Sequence, residues 1–130
     1  MSAFTVEFDN SPGRLAALCE LMAERGINLV ICGVTHGDTG TVAFIADDEA
    51  AARSALQDAD LAATERPALT VRLKNTPGAG AQLFRRLADA GVNVDVFLPI
   101  HVADTQFMAV LCVDDIETAR TALGTQIVSR

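Results

Sequence analysis

The chain has 130 residues, half of them hydrophobic, with a formal net charge of −7 and neither Trp nor Tyr. A nucleic-acid groove needs positive charge and stacking rings, so this composition argues against nucleic-acid partners. No apolar run reaches about 18 residues, and the N-terminus lacks the basic and apolar regions of a signal peptide, so we expect a cytoplasmic protein that does not contact membranes.

The first half of the chain alternates between two hydrophobic periods. Residues 4–8 alternate with period two, which predicts a strand, and Leu15, Leu18, Cys19 and Met22 recur at helical spacing, which predicts an amphipathic helix. The elements predicted in chain order are strand 4–8, helix 13–25, strand 28–34, strand 41–46, a helix capped by Asp47 or Asp48 and reaching about Gln57, and strand 61–65. This order is that of one ferredoxin-like unit.

The second half repeats the first, in its residues as well as in its order. Residues 10–29 align with residues 75–94 with eight identities in twenty positions, where average composition gives roughly one or two. The corresponding elements are strand 69–74, helix 77–90, strand 93–98, strand 106–113, a helix that begins at Asp114-Asp115 and ends at Leu123, and strand 126–128. The chain is an internal duplication, and we expect one unit over residues 1–66 and another over residues 67–130.

The predicted fold class is therefore α+β, with two ferredoxin-like βαββαβ units. Because the linker around Pro67 is very short, we expect the two antiparallel sheets to pack side by side. The second strand is apolar on both faces, with Val30, Cys32 and Val34 on one face. At an uncovered sheet edge such a strand would promote aggregation. Pairing of units, within the chain or in a homodimer, is expected to cover it.

The three cysteines, Cys19, Cys32 and Cys112, lie at wide spacing within apolar stretches. An odd number without a C-x-x-C pair predicts buried free thiols in a reducing compartment, not a disulfide framework or a zinc site. We expect neither a metal nor a cofactor.

Nearly the same loop follows the first strand in both units, as Asn10-Ser11-Pro12-Gly13 in the first and as Asn75-Thr76-Pro77-Gly78 in the second. Its plain reading is a helix start, with Ser11 or Thr76 as the N-cap and proline at the first helical position. Glycine in a first turn is up to about 1 kcal/mol poorer than alanine, which we interpret as space kept free beside open amides for an anion such as a carboxylate. The asparagine adds an amide that both donates and accepts, which suits a zwitterion.

With the βαββαβ order, the N-x-P-G loops and the G-[IV]-N-[LV] step after each first helix, the chain resembles the ACT domain family as a tandem pair. The second copy resembles the ACT repeats of aspartokinases. The resemblance implies an allosteric, non-catalytic module that regulates amino-acid metabolism and binds a free amino acid where two units meet. The ligand would lie between the strand-to-helix loop of one unit and the second strand of its neighbour.

Carried over residue by residue, the resemblance implies one ligand-binding set in each unit. The first set is Asn10, Ser11, Gly13, Arg14, Leu15, Asn28 and Leu29, and the second is Asn75, Thr76, Gly78, Ala79, Asn93 and Val94. The flanking residues differ, with Asp9 against Lys74 and Arg14 against Ala79. This difference indicates that the two sets are not equivalent.

Several other functions share this topology. Acylphosphatase-like enzymes bind phosphate through a loop arginine, but Arg14 follows the loop and no nucleophile, base and orienting group are evident, so we expect no enzyme. His36 and His101 align, with Asp38 and Asp104 nearby, yet hairpin tips commonly carry solvated polar residues and not metal ligands. RNA recognition modules need rings on the sheet, which this chain lacks there. The open alternative is a regulatory subunit that docks on an enzyme or regulator through its sheet edge without needing a ligand.

Overall fold

The computed structural model describes residues 1–129, which form eight β-strands, four α-helices and one 3-10 helix. The elements are β1 (Ser2–Asp9), α1 (Arg14–Ala23), β2 (Leu29–His36), β3 (Thr39–Ala46), α2 (Glu49–Asp58), β4 (Ala63–Pro67), β5 (Leu69–Lys74), α3 (Ala79–Asp89), β6 (Val94–Val102), β7 (Gln106–Val113), α4 (Ile116–Leu123), the 3-10 helix Gly124–Gln126 and β8 (Ile127–Ser129). They divide into two compact units, one of residues 2–66 and one that takes in Met1 and the chain from Pro67 onward. None of the helices within residues 1–129 is long and apolar enough to cross a membrane.

Each unit is built on one four-stranded sheet. The strand orders are β2-β3-β1-β4 in the first unit and β6-β7-β5-β8 in the second. β3 runs antiparallel to both β1 and β2, and β7 runs antiparallel to both β5 and β6. The prediction of an α+β fold with the βαββαβ order written twice is confirmed.

The helices of each unit cover one face of its sheet, because their apolar stripes supply the core. In the first unit Phe4 and Phe44 stack at a centroid distance of 5.3 Å beneath Leu18 and Met22 of α1. In the second unit Leu87 of α3 occupies the place of Met22, and both side chains are fully buried. The two units therefore have equivalent hydrophobic cores.

Two of the three predicted buried thiols are not buried. Cys19 and Cys32 are exposed, and Cys112 alone of the three is buried. The helix α1 contacts its sheet through the narrow stripe of Leu18 and Met22, which leaves Cys19 outside it and Leu15 49% exposed. Cys32 is exposed because β2 is an edge strand of its sheet. The apolar spacing predicted the helix correctly but overestimated the width of its buried face.

The second helix of each unit begins at an aspartate, as predicted. Asp48 accepts a hydrogen bond from the Ala51 amide, and Asp115 accepts one from the Thr118 amide. These side chains satisfy amides that have no partner within the helix. On β5, the alternation of the sequence predicts that Thr70 faces solvent, and this is wrong, because Thr70 is only 8% exposed and its hydroxyl lies 3.4 Å from the sulfur of Met1.

Candidate functional site

The loop after β1 is a tight turn, not a helix start capped by a side chain. The Arg14 amide donates to the Ser11 carbonyl over 3.5 Å, and Gly13, at a φ of +92°, is the N-cap of α1. Proline at the second position and glycine at positive φ at the third define a type II β-turn. The prediction that Ser11 is the N-cap is therefore wrong.

The loop after β5 is built in the same way. The Ala79 amide donates to the Thr76 carbonyl over 3.3 Å, and Gly78 is the N-cap of α3 at a φ of +88°. Thr76 is likewise not the N-cap. A positive φ strains any residue that has a Cβ, so the turn itself requires the repeated glycine. A Cβ on Gly13 or Gly78 would meet no atom within 4 Å, so the glycines are not needed to relieve crowding.

Because α1 has no side-chain cap, its first turn leaves amides open. Among the hydrogen bonds within residues 1–129, none uses the amides of Leu15 or Ala16, and the first turn of α1 holds no acidic residue. The N-terminus of a helix also carries a partial positive charge. This end of α1 is therefore suited to receive a carboxylate.

The repeated asparagine fastens each loop to the hairpin beside it. The Asn10 side-chain amide donates to the Gly37 carbonyl over 2.9 Å, and the Asn75 side-chain amide donates to the Ala103 carbonyl over 2.8 Å. The backbone amides of both asparagines donate to the same hairpins. Of the hydrogen bonds in the described part of the chain, none reaches the Asn10 Oδ1, so that oxygen is available to a ligand.

In the first unit the loop, the start of α1 and the second half of β2 border a cleft of about 330 Å³. Volumes of this order are typical of small-molecule sites. The cleft is lined by Phe8, Asn10, Ser11, Gly13, Arg14, Leu15, Ala16, Gly33, Val34, Thr35 and Val42. The structure thus brings together five residues of the first predicted set, and we call this the loop cleft.

The charge of the loop cleft is concentrated on one side chain. Arg14 is the single charged residue among its described lining residues, and it is half exposed. Its Nε donates to the Ser11 Oγ over 3.2 Å, and its terminal nitrogen lies 3.7 Å from an exposed Asp9 carboxylate. An exposed pair of this kind is weak, so the guanidinium is free to turn toward a ligand carboxylate.

One wall of the loop cleft depends on a glycine in β3. Phe8 faces Gly40 across the sheet, and a Cβ on Gly40 would lie 2.7 Å from the Phe8 ring and 3.3 Å from the methyl group of Thr35. Real side chains do not approach so closely. Gly40 therefore lets the Phe8 ring lie against the β3 backbone and line the cleft.

Asn28 and Leu29, the other members of the first set, lie at the opposite end of the sheet. Leu29 pairs with Ala46 at the end of β3, whereas the loop adjoins Thr39 at its beginning. Seven strand steps at about 3.3 Å each separate the two places by roughly 23 Å. Within one unit these residues do not meet the loop, and their predicted role requires a neighbouring unit.

The second predicted set is divided in the same way. Thr76 and Ala79 line a different cleft, and Asn75 and Gly78 belong to the turn beside it. At the far end of the sheet Val94 pairs with Val113, while the Asn93 amide donates to Asp114 over 2.9 Å and its side chain donates to Asp95 over 3.1 Å.

The strand side of the loop cleft was missed by sequence reasoning. Phe8, Gly33, Thr35 and Val42 look like ordinary strand residues in the sequence. A usable signal existed, because the βαββαβ order makes β2 an edge strand and brings its far end beside the start of α1. As for metals, no group of three or more His, Cys, Asp or Glu within residues 1–129 is arranged to hold one.

Solved structures share this fold along nearly the whole chain. The chain is similar to a protein from Bacteroides thetaiotaomicron, with a TM-score of 0.82 and 23% identity over 97% of this chain and 88% of that chain. It is also similar to the regulatory subunit of aspartate kinase from Thermus thermophilus in its ligand-free form, with a TM-score of 0.70 and 22% identity over 96% of this chain and 91% of that chain.

The corresponding subunit from Thermus flavus gives a TM-score of 0.67 and 20% identity, with coverage of 96% and 90%. No family model matches the sequence, and no curated protein matches it. At these identities the likeness establishes the fold. The chain has the tandem fold of the aspartate kinase regulatory subunits, so its resemblance to ACT-domain proteins is confirmed at the level of fold.

Proposed function

We propose that this protein is a non-catalytic regulatory module that binds a free amino acid in the loop cleft and so regulates amino-acid metabolism. The observation that carries the proposal is the open first turn of α1 beside Arg14 at the border of a cleft of about 330 Å³. The regulatory subunits of aspartate kinase with the same fold support it. The cytoplasmic location belongs to the same proposal.

The polar groups of the loop cleft match the two charges of an amino acid. The α-carboxylate would accept from the amides of Leu15 and Ala16 and from the Arg14 guanidinium, because charge-assisted bonds to a carboxylate are the stronger kind. The ammonium group would donate to the Asn10 Oδ1. The ligand side chain would then contact Phe8 and Val42, the apolar lining residues.

A neighbouring ACT unit would complete the site. Its second strand would supply Asn28 or Asn93, with Leu29 or Val94 beside them, to the ammonium group or the ligand side chain. The second set, built around Asn75 and Gly78, stays a prediction for a further site of the same kind. The neighbouring unit could come from the same chain or from a homodimer partner.

A thermal-shift screen with each of the twenty amino acids tests this proposal. A ligand at 100 times its dissociation constant adds about 2.7 kcal/mol to the free energy of unfolding. We expect at least one amino acid to raise Tm, and Arg14→Ala to weaken its binding at least tenfold. Arg25→Ala is the matched control, because Arg25 follows the same helix and pairs with Asp58 over 2.9 Å, outside the cleft. The proposal fails if none of the twenty raises Tm.

The second candidate function is a regulatory subunit that docks on an enzyme through its sheet edge. It is favoured by β2, an edge strand whose last five residues are exposed, including Val34 at 71%. An exposed apolar edge is a template for pairing with another strand. Size-exclusion chromatography with an aspartate kinase catalytic chain, and with Cys32→Lys as the edge-blocking variant, separates this function from amino-acid sensing, because Cys32 is exposed on β2 and does not line the loop cleft.

A further inference from the structure

The second unit contains a larger cleft whose chemistry the proposed function does not use. It has a volume of about 570 Å³ and lies where the end of β5, the start of α3 and the 3-10 helix meet. Three of its described lining residues are cationic, namely Arg72, Lys74 and Arg86, and none is acidic. We call it the basic cleft.

The three cations come from two elements. Arg72 and Lys74 alternate with the core residues of β5 and so project to the face of the sheet away from the helices, while Arg86 lies on α3 one turn after Gln82. The two sides meet at the edge of β5 beyond Val71, where the pairing with β8 ends. Arg86 donates to the Gln126 Oε1 over 2.9 Å, which is a neutral partner. None of the ion pairs within residues 1–129 includes Arg72, Lys74 or Arg86.

This local charge contrasts with the charge of the chain. The formal net charge is −7, yet residues 1–66 account for all of it, with eleven acidic and four basic side chains, whereas residues 67–130 carry six of each. Three unpaired cations around a concave surface focus a positive potential into it and raise the local concentration of anions. The basic cleft is therefore built to attract negative charge.

In the first unit, the corresponding cleft lacks several of the polar residues that line the basic cleft. There, a cleft of about 470 Å³ lies between α1, β1 and the residues that follow α2, Ala59 and Leu61. Three polar residues of the basic cleft are replaced there by apolar ones at the equivalent positions, the pairs being Gln82/Ala17, Arg86/Leu21 and Gln126/Ala59. The fold does not require polar residues at these three positions, since the first unit folds with apolar residues there.

We propose that the basic cleft binds a small multivalent oxyanion, either a phosphorylated compound or a polycarboxylate. Arg72 and Arg86 can each bind two oxygens through the planar guanidinium, and Lys74 adds a third charge. The side-chain amides of Gln82 and Gln106 can donate to further oxygens. This ligand differs from a free amino acid in its net charge, and its site is distinct from the loop cleft of the first unit, although Thr76 and Ala79 of the second predicted set also line it.

Isothermal titration calorimetry of the full chain with pyrophosphate and with citrate, at low ionic strength, tests the proposal. Arg86→Leu installs the residue that the first unit has at this position, and we expect it to weaken binding at least tenfold. The matched control is Arg85→Leu, which removes the same charge from the next position of α3, where Arg85 pairs with Asp89 over 3.8 Å. We expect Arg85→Leu to change the affinity less than twofold.

Each result decides a question. Binding of pyrophosphate alone assigns a phosphorylated ligand, binding of citrate alone assigns a polycarboxylate, and binding of both supports the shared oxyanion chemistry. The proposal is overturned if neither probe binds at millimolar concentration, or if Arg85→Leu weakens binding as much as Arg86→Leu. Circular dichroism confirms that the variants fold, and Lys74→Asp, which also copies the first unit, is the second variant. Because Arg14→Ala is expected to leave pyrophosphate and citrate binding unchanged, failure of the amino-acid site and failure of this one are distinguishable.

Discussion

The first helix of each unit lines a cleft with a different kind of residue. In the first unit α1 contributes Ala17 and Leu21, whereas in the second unit α3 contributes Gln82 and Arg86 at the same positions. The backbones around these residues are alike, because both helices begin after a type II turn that holds glycine at positive φ. The difference shows that the duplicated fold constrains its turns and core strictly but leaves the rims of its clefts free to change. Two different ligand chemistries can therefore arise on two copies of one fold.

The two units also differ at one facing pair of residues on their central strands. In the first unit Phe8 faces Gly40, and in the second unit Leu73 faces Phe107 at the corresponding place. The first unit faces its phenylalanine with glycine, whereas the second unit faces its phenylalanine with leucine and so holds more side-chain volume at this pair. Phe8 therefore depends on a glycine opposite it, and Phe107 does not.

The largest predicted effect comes from replacing this glycine. Gly40→Val would put a Cβ within 2.7 Å of the Phe8 ring, so we expect the free energy of unfolding to fall by about 1–3 kcal/mol. Urea denaturation measures the loss. The double variant Phe8→Leu with Gly40→Val removes the ring atoms that the new Cβ would meet and is expected to recover part of the loss.

Gly33→Ala serves as the control for Gly40→Val, because a Cβ on Gly33 would lie 3.4 Å from Val42 at ordinary contact distance. We expect it to change stability by no more than about 0.5 kcal/mol. A Gly40→Val variant as stable as the wild type would show that Phe8 moves aside freely, and the proposed wall of the loop cleft would then be wrong.

Replacing the turn glycine should lower the free energy of unfolding by the same amount in both units. Gly13→Ala and Gly78→Ala each place a Cβ at positive φ, so each should lower the free energy of unfolding by about 1–2 kcal/mol. Gly80→Ala is the control of opposite sign, since Gly80 lies inside α3 and alanine is better there by up to about 1 kcal/mol. If alanine at Gly13 is stabilising, the turn geometry assigned to the loop is incorrect.

The smallest predicted effect concerns the second helix of each unit. The Thr118 hydroxyl donates to Asp115 over 2.6 Å, and this bond, with the Thr118 amide, lowers the pKa of the Asp115 carboxyl. Ala51 occupies the equivalent position in the first unit. We expect Thr118→Ala to raise the pKa of Asp115 toward its ordinary value, as an NMR titration of the carboxyl would show.

The sign of the accompanying pH effect follows from the lowered pKa. A carboxyl whose pKa is lower in the folded state stabilises the fold above the pKa of the unfolded chain, about 3.9, and loses that contribution as the pH falls through the folded value. The stability difference between wild type and Thr118→Ala should therefore be present at neutral pH and shrink in acid. A difference that grows in acid would contradict the assignment.

The sequence by itself determined the architecture and the place of the loop. Hydrophobic periods of two and 3.6 residues follow from local backbone geometry, so they identify the strands and helices. The aspartate caps of α2 and α4 could be predicted for the same reason, because capping is also a local interaction. The repeated Pro-Gly pair marks the place of the turn, but the sequence alone does not distinguish a glycine kept for a ligand from one that the positive φ of the turn demands.

Only the tertiary structure decided what the loop residues contact and which side chains share a cleft. Asn10 bonds to Gly37, 27 residues away, and the basic cleft draws Arg72, Arg86 and Gln126 from three separate elements. Such meetings depend on strand order and on the rotation of each helix about its axis. Those quantities are set by packing of the whole unit, so they leave no pattern along the chain that spacing alone can reveal.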